Sequence, residues 1–327
     1  MTVSDACKLL CFSSCALVCL STSGRNVLIM TCDTTAKLNG KVVVVTGGSS
    51  GMGFEAAKNL ASRGARVIIA SRNETKLKAA QDQIIEATGN QNVAYKTVDL
   101  GSLKSVRNLA SELNSEDQIN VLINNAGAVA LPDKLTADDL NLTMQVNYFG
   151  AFLLTFLLLP KLKASAPSRI VNGIGGAMYF GEINFDHWND IGRYNIITAL
   201  GTSKLAVDLF NAELDTRLKN TGVTVNGYDP FVVRDTSILA NIPGIVQHVS
   251  KFFINIIGRR KEDVGREIAY LASAPEMESV SGNLYKFCYP FKNHWLVNDR
   301  ELTRRLWEES KKAVKIDKNE DWEVNDV

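Results

Sequence analysis

The sequence predicts an α/β fold: a doubly wound, seven-stranded parallel sheet in a single domain. Three observations lead there. From Lys37 onward, short runs rich in Val and Ile alternate with longer stretches of helical periodicity. Residues 42–45 are four consecutive valines, a pattern without alternation that suits a strand covered on both faces. A repeated strand, helix, strand order makes the sheet parallel, because parallel neighbours need a crossover connection.

The candidate strands, in chain order, are KVVVVTGG (41–48), ARVIIASR (65–72), VAYKTVDL (93–100), NVLINNAG (120–127), SRIVNGIG (168–175), VTVNGYDP (223–230) and SGNLYKF (281–287). The apolar stretch FGAFLLTFLLLP (149–160) is shorter than the ~20 residues that span a bilayer, so it reads as a buried helix. The tail from 316 to 327 is acidic and has no apolar face, which predicts disorder.

The chain's 327 residues, 46% of them hydrophobic, suffice for one large core. Lys and Arg (36) nearly balance Asp and Glu (35), so no basic stripe marks a nucleic-acid partner. His187, His248 and His294 are scattered, none at ligand spacing from a cysteine or another histidine, and no metal is expected.

Residues 1–36 stand apart. Cys7, Cys11, Cys15 and Cys19 recur every fourth residue. They read as small residues of a membrane-associated segment, with lipidation as the alternative. Residues 9–20 are apolar but too few to span a bilayer, and Arg25 and Asn26 interrupt any extension. This is a marginal anchor or the apolar part of a signal sequence, with Lys8 its only basic flank. Cys32 and Cys288 are far apart in a chain too large to need a staple, so no disulfide is expected.

The motif TGGSSGMG (46–53) follows the first strand and precedes a helix expected near Phe54, the context a dinucleotide fingerprint requires. Thr46 and Gly47 make the turn, with Ser49 and Ser50 within it. Gly51 and Met52 bring the backbone to a pyrophosphate at the helix N-terminus, and Gly53 packs helix on strand. The fold is therefore of Rossmann type. At the end of the second strand Ser71 and Arg72 stand where an NAD site wants a carboxylate, which favours a 2′-phosphate and hence NADP(H). Asp99 closes the third strand on the adenine side.

TGGSSGMG, NNAG (124–127), VNYFG (146–150), SRIVN (168–172) and the register of TSKLA (202–206) together resemble the short-chain dehydrogenase/reductase family. LNGKVVVVTGG, LASRGARVIIASRN, HWND…RYN and LTRRLWEES resemble its microsomal retinol dehydrogenase branch, and the similarity runs from about 30 to 315. The resemblance implies further cofactor contacts from Leu100, Asn125, Ala126, Gly127 and Pro230. It also implies a tyrosine general acid or base, a lysine one helical turn later that lowers its pKa and holds the nicotinamide ribose, a substrate-orienting serine and an asparagine.

Asn147 matches the asparagine and Lys204 the lysine, whereas the serine aligns with Gly175 and the tyrosine with Leu200. No serine or threonine occurs between Ser168 and Thr198. Tyr179 and Tyr194 are the nearby phenols, and Tyr194 is a surrogate only if its loop folds inward. Phe231 replaces the glycine usual after the proline, and so narrows the nicotinamide pocket or forces the loop outward.

The region about 235–262 is expected to form the substrate lid. Ile238, Ile242, Ile245, Val249, Phe252 and Ile256 describe an amphipathic helix. It either packs on the domain or opens a lipophilic entrance toward a membrane, with GRRK (258–261) at headgroup level. The expectation is an NADP(H)-binding protein with absent or strongly reduced oxidoreductase activity, associated with the endoplasmic reticulum membrane through its N-terminus. Family resemblance adds a homodimer and a lipophilic small-molecule ligand. The alternatives are an active oxidoreductase on a lipophilic alcohol or ketone, and a cytoplasmic location.

Overall fold

A computed structural model describes residues 32–234 and 258–325. All seven expected strands form: β1 (Val42–Thr46), β2 (Arg66–Ser71), β3 (Val93–Thr97), β4 (Val121–Asn124), β5 (Ser168–Gly173), β6 (Val223–Tyr228) and β7 (Leu284–Lys286). The helices between them are α1 (Gly51–Ala61), α2 (Glu74–Thr88), α3 (Leu103–Asn114), α4 (Leu142–Ala164), α5 (Ile196–Arg217) and α6 (Lys261–Ser273). After β7 come β8 (Tyr289–Phe291), α7 (Arg300–Ala313) and α8 (Trp322–Asn325). The sheet order is β3-β2-β1-β4-β5-β6-β7-β8. Winding reverses between β1 and β4, and such a switch point opens a crevice at the carboxyl ends of the strands.

The unbroken valine run is explained by the pleat. Val42 and Val44 enter a core with α3, α4, α5 and α7, while Val43 and Val45 enter a second core with α1, α2 and α6. Each strand residue is buried, but successive residues are buried by different layers. Helix α4 lies inside the first core as expected, with Phe152, Leu153, Leu154 and Phe156 fully buried. Phe152 lies 5.2 Å from Phe210 and 5.3 Å from Trp307 between ring centres.

The structure corrects three expectations. The sheet has an eighth strand: β8 pairs antiparallel with β7 through a two-residue turn, Phe287 and Cys288, both at positive φ. Cys32 and Cys288 are disulfide-bonded, their Cα atoms 5.7 Å apart despite 256 residues of separation, because the chain entering β1 passes beside that turn. The tail is ordered where its acids meet cations. Lys311 reaches Asp321 at 2.6 Å and Glu323 at 2.8 Å, Arg107 grips Glu320, and the Trp322 indole donates to the Phe156 carbonyl at 3.0 Å. The GRRK segment is held on the domain at its first arginine. Arg259 is bridged to Val233 and paired at 2.5 Å with the buried Glu267; Arg260 is engaged with Asp263, and α6 starts at Lys261. The six apolar positions assigned to the lid lie outside the described residues.

Candidate active site

The crevice is assembled from the ends of β1, β4, β5 and β6. After β1, Gly47 takes φ +70°, open to glycine without the Cβ penalty. A Cβ there would stand 2.8 Å from the Asn125 amide, and one at Gly53 would overlap that amide. Helix α1 begins at Gly51, three residues before the expected Phe54, and Ser50 makes no side-chain cap. First-turn N–H groups without a cap are ready anion donors.

Asn125 joins the strand ends. Its Nδ2 donates to the Thr46 carbonyl at 2.9 Å, and its Oδ1 accepts from the Tyr228 hydroxyl at 3.0 Å. Thr46 Oγ1 accepts from the Asn125 and Ala126 N–H groups, both at 3.1 Å. At the adenine side Ser71 Oγ donates to Ser49 Oγ at 2.9 Å. Arg72 and Asp99 are exposed at the same rim, and Asp99 Oδ1 accepts from the Gly101 N–H at 2.9 Å. Leu100 is buried in the core, so only its backbone faces the crevice side.

Asn147 lies in a π-helical turn, Gln145–Phe149, within α4, the kind of local irregularity frequent at functional positions. Its Oδ1 accepts from Ala128 N at 2.8 Å, while its Nδ2 donates to Ala128 O at 2.9 Å and to Ser203 Oγ at 3.2 Å. Lys204 stands beside it: a methyl on Gly127 would lie 3.4 Å from Asn147 Oδ1 and 3.5 Å from Lys204 Nζ. The Lys204 ammonium donates to the Gly173 carbonyl at 2.7 Å. Burial lowers its pKa to about 8, against the opposing charge of Asp229. The crevice therefore gathers Asn147, Lys204 and the 125–127 loop.

Asn195 caps α5, accepting from Ile197 N at 2.9 Å and Thr198 N at 3.0 Å. Leu200 follows on this helix, one turn before Lys204. Tyr194 and Leu200 both line a cavity of about 30 Å3, with Ala130, Leu131, Asp133, Thr143, Ile196 and Ala199. Tyr194 is half-buried at this wall. Burial raises its pKa, with Arg193 and Glu182 beside the hydroxyl. Tyr179 points elsewhere, donating to the Lys292 carbonyl at 2.9 Å. Gly175 adopts φ 106°, ψ 145°, a region that non-glycine residues rarely enter.

Two charged residues escaped the sequence reading. Asp229, 1% exposed, accepts from the Phe231 N–H at 2.9 Å and lies 3.0 Å from Lys286 Nζ. The available signal was an acid directly after the wholly buried β6, beside Pro230. Phe231 sits at φ +59°, keeping a left-handed conformation of the kind glycine favours. Its ring turns toward the β7–β8 turn, 5.7 Å from Phe287 and 4.8 Å from the Lys286 ammonium.

Comparison with known proteins agrees with this geometry. Residues 41–244 match the short chain dehydrogenase family. Human retinol dehydrogenase 13 is 39% identical over 295 residues, covering 88% of both chains. Human retinol dehydrogenase 11 is 38% identical over 289 residues, 85% of this chain and 87% of that one. Among solved structures, an uncharacterised protein from Mycobacterium paratuberculosis superposes with a TM-score of 0.69 at 29% identity, covering 88% of this chain and 98% of its own. The chain belongs to the short-chain dehydrogenase/reductase family and, within it, is related to the retinol dehydrogenases.

Proposed function

We propose that this chain is a membrane-associated, NADP(H)-binding relative of the retinol dehydrogenases whose oxidoreductase activity is absent or strongly reduced. The bound nicotinamide supplies or accepts the hydride in this family's chemistry. The chain's own residues fit the cofactor. The α1 N-terminus with Gly47, Ser49, Ser50, Gly51, Met52 and Gly53 would hold the diphosphate, and Ser71 and Arg72 the 2′-phosphate. Asp99 and Leu100 would flank the adenine; Asn125, Ala126, Gly127 and Pro230 would line the nicotinamide side, with Lys204 on the ribose.

One observation carries the loss of activity: the residue one turn before Lys204 is Leu200, which neither donates nor accepts a proton. Carbonyl reduction needs a proton on the substrate oxygen as well as a hydride, and a positioned general acid typically contributes ~10²- to 10⁴-fold. Asn147 remains bonded to Ala128 and Ser203, and Lys204 keeps a cation for the ribose. Binding is retained in this reading while proton transfer is not. Calorimetry should show tighter binding of NADPH than of NADH, with Arg72→Asp reversing or abolishing the preference. Labelled NADPH with retinaldehyde or steroid ketones should show turnover barely above background.

The second reading is an active enzyme on a lipophilic alcohol or ketone. The shared cavity of Tyr194 and Leu200 favours it, since the phenol and the residue one turn before Lys204 line the same space. Turnover abolished by Tyr194→Phe would establish that reading. Association with the endoplasmic reticulum membrane through the N-terminal segment and a homodimeric state complete the proposal, on the strength of the family relationship and the apolar sequence at 9–20.

A further inference from the structure

We propose that the β7–β8 hairpin and the turn after it form a lipid-facing surface, the place at which the folded domain rests on a bilayer. Seven large apolar side chains are exposed among the described residues, and four of them fall within nine positions: Phe287, Tyr289, Phe291 and Trp295. Trp295 is the most open, at 66%. Such a concentration at one edge is unlike the scattered exposure ordinary on a soluble surface. Its composition is that of the aromatic belt at a membrane–water interface, where rings with an apolar body sit at headgroup depth. Cations accompany the rings. Lys292 is exposed in the same stretch, and the Lys286 ammonium lies 4.8 Å from the centres of both Phe231 and Phe291.

A second, independent observation says what covers this surface. Cys288, in the hairpin turn, is bonded to Cys32. The chain that leads back to the apolar run at 9–20 is therefore tied to the fold at the aromatic turn through Cys32. An apolar segment that enters lipid draws its attachment point to the membrane surface. The residues at that point are three phenyl or phenol rings and an indole. The turn is also held firmly enough to serve as a seat: the Cys288 N–H donates to the buried Glu267 at 3.1 Å, and the Arg259 guanidinium covers Phe287 at 4.8 Å. A second copy of the chain pairing along the β8 edge is the competing occupant.

This inference rests on the proposed membrane association, and the test separates the two. The chain has four tryptophans; Trp188 and Trp307 are buried and Trp322 is half-buried, so Trp295 dominates any quenching from outside. Full-length protein is mixed with phosphatidylcholine vesicles containing a minority of phosphatidylserine, with and without brominated acyl chains. The expected results are flotation with the vesicles, bromine quenching of tryptophan emission that disappears in Trp295→Phe, and several-fold weaker flotation for Phe291→Ser. Flotation without quenching of Trp295 would leave the membrane association standing and overturn the aromatic seat. No flotation at all would overturn both. A dimer in analytical ultracentrifugation that dissociates on Phe291→Ser, with Trp295 unquenched by lipid, would assign the surface to a second copy instead.

Discussion

The two halves of the crevice have been treated differently. On the β1–β4 side, every close approach has a glycine or a small residue where one is needed, and Asn125, Thr46 and Tyr228 satisfy one another across three strands. On the β5–β8 side, the two positions that the family resemblance assigns to catalytic hydroxyls carry Gly175 and Leu200. The backbone at Gly175 is open essentially to glycine alone, a bulky Phe231 occupies left-handed space, and a buried ion pair joins Asp229 to Lys286. The contrast separates holding a dinucleotide, which depends on backbone shape, from moving a proton, which depends on one side-chain atom. On the proposed reading, the first survives changes that end the second.

The largest expected effect breaks the retained half. In Gly53→Val the new side chain would overlap the Asn125 amide and the Gly47 carbonyl. Overpacking of this kind costs ~1–3 kcal/mol, here against backbone that cannot yield. Chemical denaturation should show a loss near the top of that range, and calorimetry should show nucleotide binding abolished. Normal binding by this variant would mean that the dinucleotide does not use the β1 turn.

Lys204 joins the two halves, and its titration gives the next effect. Burial holds the folded pKa at about 8, below the ordinary 10.5. Between those values the unfolded chain binds more protons, so stability should rise with pH across that window, by about 3 kcal/mol at most. Below pH 8 the ammonium is charged in both states and the slope vanishes. Affinity for an anionic dinucleotide should move the other way, weakening as the cation is lost above pH 8. Lys204→Met should flatten both profiles. Parallel rather than opposed profiles would show that another group governs binding.

How much of this was legible in the sequence follows the same division. The seven parallel strands and the glycine turn were visible because each depends on local residue type. Strand β8 was not. Its turn, Phe287 and Cys288, has none of the Asn-Gly or Gly character of two-residue hairpins, and Pro290 argues against a strand; the turn is held instead by Glu267 and Cys32. The tail looked disordered because its charges were read alone, without the cations of α3, α5 and α7 that meet them. Gly175 and Leu200 were legible as residues without hydroxyls, but the glycine-only backbone at Gly175 was not.

That backbone sharpens the repair of the altered half. Leu200→Tyr places a phenol one turn from Lys204. It should raise carbonyl reduction by at least about tenfold, ~1.4 kcal/mol in the barrier, in a manner that requires Lys204. Gly175→Ser should not add to it. A serine forced to φ 106° stores ~1–3 kcal/mol of strain, and relieving it means rebuilding the loop that faces Asp229. The single variant should therefore match or exceed the double in single-turnover measurements. A wild type already as fast as Leu200→Tyr would remove the case for an impaired enzyme.

The smallest effect concerns Phe231, where strain and packing oppose each other. Holding a bulky residue in left-handed space costs on the order of 1 kcal/mol. Its ring recovers part of that against Phe287 and the Lys286 ammonium, a cation–π contact worth ~0.5–1 kcal/mol near a surface. Phe231→Gly loses the ring and relieves the backbone, so its stability should lie within about 1 kcal/mol of wild type. Phe231→Ala loses the ring but keeps a Cβ in the strained conformation, and should fall below the glycine variant by ~0.5–1 kcal/mol. Glycine normally destabilises relative to alanine through its greater unfolded-chain entropy, so the reversed order is a signature of left-handed strain at this position. Denaturant midpoints for the two variants, compared at equal slope, decide it. Alanine more stable than glycine would show that residue 231 relaxes out of the left-handed region once the ring is gone, and that the phenyl ring itself holds the loop there.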